Sequence, residues 1–114
     1  MNNIPCALES PRVCEKGHIH WYEGDTFILT FEVDFVDESG ASIEIKDTDK
    51  ITVSFRDRYK NVVCEFEEVG SNKIVMTFDE EVTKKFKTGE YTYSARLNNG
   101  WIKTFMKENV VLVE

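Results

Sequence analysis

The sequence predicts an all-β protein, a β-sandwich of seven to eight antiparallel strands with one short helical turn near residues 79–86. Three observations carry this reading. Apolar and polar residues alternate with a period of two along most of the chain, the pattern that lines one face of a strand. Turn residues interrupt the alternation at roughly 8–12-residue spacing, as in a sandwich or barrel. There is no βαβ rhythm and no internal repeat.

The elements follow in order. Residues 1–16 hold both prolines, Pro5 and Pro11, and little periodicity, so they read as an irregular arm with room for a short edge strand. Residues 17–114 read as the sandwich domain. From Thr26 the alternation is longest: Phe27, Leu29, Phe31, Val33 and Phe35 take one parity, and Ile28, Thr30, Glu32, Asp34 and Val36 the other. Asp37-Glu38-Ser39-Gly40 then supplies turn chemistry. Ile43 and Ile45 predict a short strand, ended by the polar run from Lys46 to Lys50. Ile51, Val53 and Phe55 form the next inward set, then Val62, Cys64 and Phe66 after a polar turn at Tyr59-Lys60-Asn61. Ile74, Met76 and Phe78 follow the break at Gly70-Ser71-Asn72. Asp79 is placed to cap a helical turn with Val82 and Phe86 on one side, and Gly89 ends it. Tyr91, Tyr93, Ala95 and Leu97 alternate up to Asn98-Asn99-Gly100, and Asn-Gly between two β-like runs is a hairpin signal. A return strand starts at Trp101, and residues 110–113 close the chain.

Composition limits the function classes. At 114 residues the chain is one domain. A formal charge of −7 makes phosphate backbones and anionic lipid poor partners. The three cysteines Cys6, Cys14 and Cys64 fit no disulfide framework and read as free thiols in a reducing compartment. The first residues carry no basic segment and no long apolar stretch, so no secretory signal is expected. No run approaches the ~20 apolar residues of a spanning helix.

Two segments carry a family resemblance. Glu23-Gly24-Asp25-Thr26-Phe27 leads into the long strand, and Lys87-Thr88-Gly89-Glu90-Tyr91-Thr92-Tyr93 into the strand before the Asn-Gly hairpin. In this order and spacing they resemble the immunoglobulin-like domain of phage baseplate and tail proteins, similar to the N-terminal domain of the baseplate upper protein family, over about residues 18–114. The resemblance implies an immunoglobulin-like β-sandwich. Tyr91 would then form the corner in which a tyrosine hydroxyl bonds to upstream backbone. Tyr93 stands where an antibody domain has its second cysteine, and neither a cysteine on 27–35 nor a tryptophan on 51–55 is present, so Phe, Tyr and Ile packing must replace that disulfide core. The resemblance also implies a component of a viral particle or tail-like machine, in the virion or the bacterial host cytoplasm. It brings no catalytic, metal or cofactor residues.

Several residues invite sharper readings. His18 and His20, with Cys14 or Glu23, make a candidate zinc set of no known spacing, against the plainer reading of edge-strand histidines. Cys64 lies on the inward parity, a buried hydrophobe more than a nucleophile. Asp47, Asp49, Asp79, Glu80 and Glu81 sit at turns and lack a calcium-loop spacing. Trp21, Tyr22, Asn99 and Trp101 are the candidate partner contacts, since an exposed aromatic anchors interfaces; buried, they are core. The expectation is a non-enzymatic structural or adaptor module contacting itself or other particle proteins, with no cofactor, nucleic acid or membrane. The alternative is a small-ligand or carbohydrate-binding sandwich that stacks its ligand on exposed aromatics.

Overall fold

The computed structural model describes residues 12–13, 18–33, 35, 39–98, 102–104 and 109–114. Nine strands and one helix lie among them. They are β1 (Arg12–Val13), β2 (Ile19–Trp21), β3 (Phe27–Glu32), β4 (Lys50–Arg56), β5 (Val62–Val69), β6 (Lys73–Phe78), α1 (Glu80–Thr83), β7 (Gly89–Asn98), β8 (Ile102–Thr104) and β9 (Asn109–Val113). Two sheets result. The larger runs β1-β2-β9-β7-β4-β5, with β8 also on β7, and the smaller is β3 paired with β6.

The period-two pattern explains the packing. On β6 the order alternates exposed and buried, and Ile74, Met76 and Phe78 face inward with no exposure. On β7 Tyr91, Tyr93, Ala95 and Leu97 are the buried set. β4 has a strand on either side, β5 and β7, so even its outward Thr52 and Ser54 are buried. β1 falls inside the predicted arm and pairs with β2, Arg12 opposite His20; the rest of that arm lies outside the described residues.

Three expectations are corrected. The pairing is not wholly antiparallel: β2 runs parallel to β9, with Ile19 opposite Val111 and Trp21 opposite Val113. β2 and β9 share no hairpin, because between them the chain crosses to the small sheet and back, so no turn dictates their direction. No strand forms at Ile43 and Ile45; a single bridge at Ser42 and the bond from the Ile43 amide to the Phe35 carbonyl (2.7 Å) hold that segment, with both isoleucines packed on the core. The long first strand ends at Glu32, although Val33 and Phe35 stay buried beyond it.

The return strand is split. Leu97 faces Lys103 on β8, and that register continued would set Tyr93 opposite residue 107, whereas Tyr93 faces Asn109. The helical turn forms as expected: the Asp79 side chain accepts from the Val82 amide at 3.0 Å, and Phe86 is fully buried after it.

Phe78 lies at the centre of the core. Its ring centroid is 5.2 Å from Trp21, 4.7 Å from Phe27, 5.5 Å from Phe55, 5.1 Å from Phe66 and 5.9 Å from Phe86. Phe78→Ala should therefore lower the unfolding free energy by about 3–5 kcal/mol, the usual cost of emptying a phenylalanine site. Urea unfolding followed by circular dichroism reads this directly, and a loss below about 1 kcal/mol would contradict the packing.

Candidate interaction site

At one end of the sandwich the two segments singled out in the sequence meet. The Glu23 carboxylate accepts from the Thr88 amide at 2.5 Å and from the Thr88 hydroxyl at 3.0 Å. The Tyr91 hydroxyl donates to the Lys87 carbonyl at 2.8 Å. The Glu23 amide bonds the Glu114 carbonyl at 2.7 Å, and the Glu114 amide bonds the Trp21 carbonyl at 3.0 Å. Gly24, at φ +90°, turns the chain from β2 toward β3 at this point, where a side chain would be strained. The Thr88 amide, then its hydroxyl, hold the Glu23 carboxyl below its ordinary pKa, with Lys87 adding attraction.

The predicted contact residues separate. Trp21 is a correction: it has no exposure, and its ring lies 5.1 Å from Phe27, 5.2 Å from Phe78, 5.3 Å from Phe86 and 6.5 Å from Phe55. Ile19 and Trp21 share the inward parity of β2, so the indole belongs to the core and offers nothing to a partner. Tyr22, the next residue, is 43 % exposed and meets His20 edge-on at 5.0 Å. Asn99 and Trp101 lie outside the described residues.

His18 is exposed and His20 buried. His20 Nε2 sits 3.1 Å from Glu114 Oε1, while its Nδ1 has no partner among the described residues. Glu23 is committed to Thr88, and Cys14 lies outside the described residues. Among the described residues no group of three or more histidine, cysteine, aspartate or glutamate side chains could hold a metal ion. Cys64 faces Phe55 across the β4–β5 ladder, and burial pushes its thiol pKa up, against the attraction of Lys85; a protonated thiol is a poor nucleophile.

The acidic residues at turns have structural partners. Asp79 caps α1. Asp49 Oδ2 accepts from the Lys46 amide at 2.9 Å, and its carbonyl accepts from the Gly70 amide at 2.9 Å. Gly70, at φ +78°, rests against Asp47 so closely that a Cβ there would stand 3.3 Å from the Asp47 carbonyl oxygen.

Among the exposed side chains that sequence reasoning missed are Tyr59, Ile28 and Val75, with Val62, Val69 and Leu112. Tyr59 is 69 % exposed in the β4–β5 turn, with the Arg58 guanidinium 4.9 Å from its ring centroid and donating to its hydroxyl at 2.8 Å. Ile28 and Val75, 62 % and 52 % exposed, stand on the outer face of the small sheet. Their signal was present as apolar side chains on the outward parity of otherwise alternating strands.

Two outcomes test this end of the molecule. Tyr91→Phe should cost about 1 kcal/mol through the lost bond to Lys87, with the fold unchanged by circular dichroism; no loss would remove the corner as a stabilising contact. Because the folded-state pKa of Glu23 is lowered, its contribution is full above the unfolded value near 4.5 and is lost as pH falls below it. Glu23→Gln should therefore flatten the decline of the urea midpoint below pH 4.5, and an identical decline in both proteins would refute a stabilising Glu23–Thr88 contact. No family model, no curated protein and no solved structure matches this chain.

Proposed function

We propose that the chain is an immunoglobulin-like, non-enzymatic structural or adaptor module of a phage or prophage tail or baseplate, working through contacts with other proteins. The observation that carries the reading is a stack of rings in the place of an antibody domain's disulfide core. Phe31 of β3 and Tyr93 of β7 meet across the two sheets at 5.7 Å, and Phe55 of β4 stacks on Tyr93 at 5.7 Å. In immunoglobulin domains the inter-sheet disulfide and its tryptophan join the corresponding three strands. The Tyr91–Lys87 bond supports the same reading, since it has the form of a tyrosine corner at the start of β7, the strand before the split return strand. The strand order supports it too: the strand following that corner lies between its hairpin partner and β4, over a separate β3–β6 pair.

Exposed Tyr22 and Tyr59, together with Ile28 and Val75, are side chains suited to protein contacts. The test is occupancy of a particle. Tail or baseplate particles purified from a producing host should contain the chain in fixed stoichiometry by mass spectrometry, with gold-labelled antibody at one location. Abundant chain in the lysate and none in the particles would sink the reading.

A further inference from the structure

We propose that the free edge of β6 joins the same edge of a second copy of this chain, antiparallel, across a two-fold axis at Met76. This deepens the assembly reading above by naming a partner and a surface.

The backbone sets the register. The Val33 amide donates to the Asn72 carbonyl at 2.9 Å, and the β3–β6 ladder continues from that pair through Glu32–Lys73 to Phe27–Phe78. Hydrogen-bonded and non-hydrogen-bonded pairs alternate along an antiparallel ladder. Ile74, Met76 and Phe78 therefore bond to β3, while Lys73, Val75 and Thr77 turn their amides and carbonyls away from it. No described strand is paired to that edge. The Ser71 hydroxyl already accepts from the Lys73 amide at 3.0 Å. The open groups are thus the N–H and C=O of Val75 and of Thr77. Setting Val75 opposite Thr77 of the second copy, twice by symmetry, satisfies all of them.

Charge selects the same register. It puts Lys73 opposite Asp79 of the second copy, again twice. Lys73 makes no ion pair among the described residues. Asp79 uses Oδ1 on the Val82 amide, which leaves Oδ2 for the facing ammonium. The outward row of β3 differs: it runs Ile28, Thr30, Glu32, so an antiparallel copy would offer no lysine to Glu32. β5, one end of the large sheet, carries Glu65, Glu67 and Glu68 beside the exposed Val62 and Val69, with a register break against β4 at Phe55/Arg56. Such charges and bulges keep edges from pairing. β6 has no charge and no proline from Ile74 to Phe78. Val75 and Thr77 then continue the outer row begun by Ile28 and Thr30 across four strands.

Sedimentation velocity on the full chain, in about 0.15 M salt to screen two acidic subunits, reads the joint. The wild type should pass from monomer to twice the monomer mass as concentration rises into the millimolar range. Val75→Pro removes an amide that β3 does not use, so the fold should persist by circular dichroism while the dimer is lost. Lys73→Glu should weaken association about tenfold or more without touching the backbone. Amide exchange at Val75 and Thr77 should slow with concentration, while that of Ile28 and Thr30 stays unchanged. A wild type that remains monomeric overturns the proposal, as does a dimer that survives both variants or protects β3 instead. A monomer that still enters particles overturns the β6 joint alone, and a β6 dimer absent from particles overturns only the particle reading.

Discussion

Trp21 is the constraint around which the two sheets close. It belongs to the large sheet through its pairing with Val113, yet its ring reaches Phe27 and Phe78 on the small sheet and Phe86 beyond α1. Each such ring pair adds about 0.5–1.5 kcal/mol to the area it buries. The geometry requires β2 to hold its place beside β9, and this makes the parallel seam necessary. Moving β2 by one residue would send Trp21 to the outer face and bring His20 inward, because side chains alternate. The indole N–H is buried with no partner among the described residues, a cost of about 1–3 kcal/mol that the surrounding rings offset.

The seam is fixed from outside the core. Glu23 and Glu114 exchange backbone bonds with the ends of β9 and β2, and the Glu23 side chain reaches Thr88 just before β7 begins. A glycine turn, a carboxylate and a tyrosine hydroxyl thus define where β2 stops, where β3 starts and where β7 enters the large sheet. Polar contacts at this end set the register, and the aromatic rings supply the energy once that register is chosen.

The parity of β3, β4, β6 and β7 could be read from the sequence because each strand alternates over six or more residues, and the capping role of Asp79 because N-cap chemistry is local. β2 is three residues long, too short for alternation to tell an inward Trp21 from an exposed one. Its parallel direction depends on β9, with Ile19 paired to Val111 far downstream, where no local signal reaches. Ile43 and Ile45 have the alternation of a strand, but their segment packs on the core held by a single bridge at Ser42 and one backbone bond to Phe35, which periodicity does not distinguish from a ladder. The outward apolar residues Ile28 and Val75 were visible one by one. Their meaning depends on the number of strands in their sheet, which is a tertiary fact.

That number is two, and a two-stranded ribbon is marginal by itself. The β3–β6 pair is stable because Leu29, Met76 and Phe78 pack on the large sheet, so its stability comes from one face, and among the described residues neither edge has a further strand paired to it. An edge without lysine at its centre, proline or bulge is hazardous to any protein that gains nothing from it. The same chain guards β5 with three glutamates, two of them held by Lys50 and Ser54. Edge protection is therefore within reach of this sequence, and its restriction to one sheet follows if the other has a strand to receive. The opposite charges at the two ends of β6 make a copy of β6 the strand that fits.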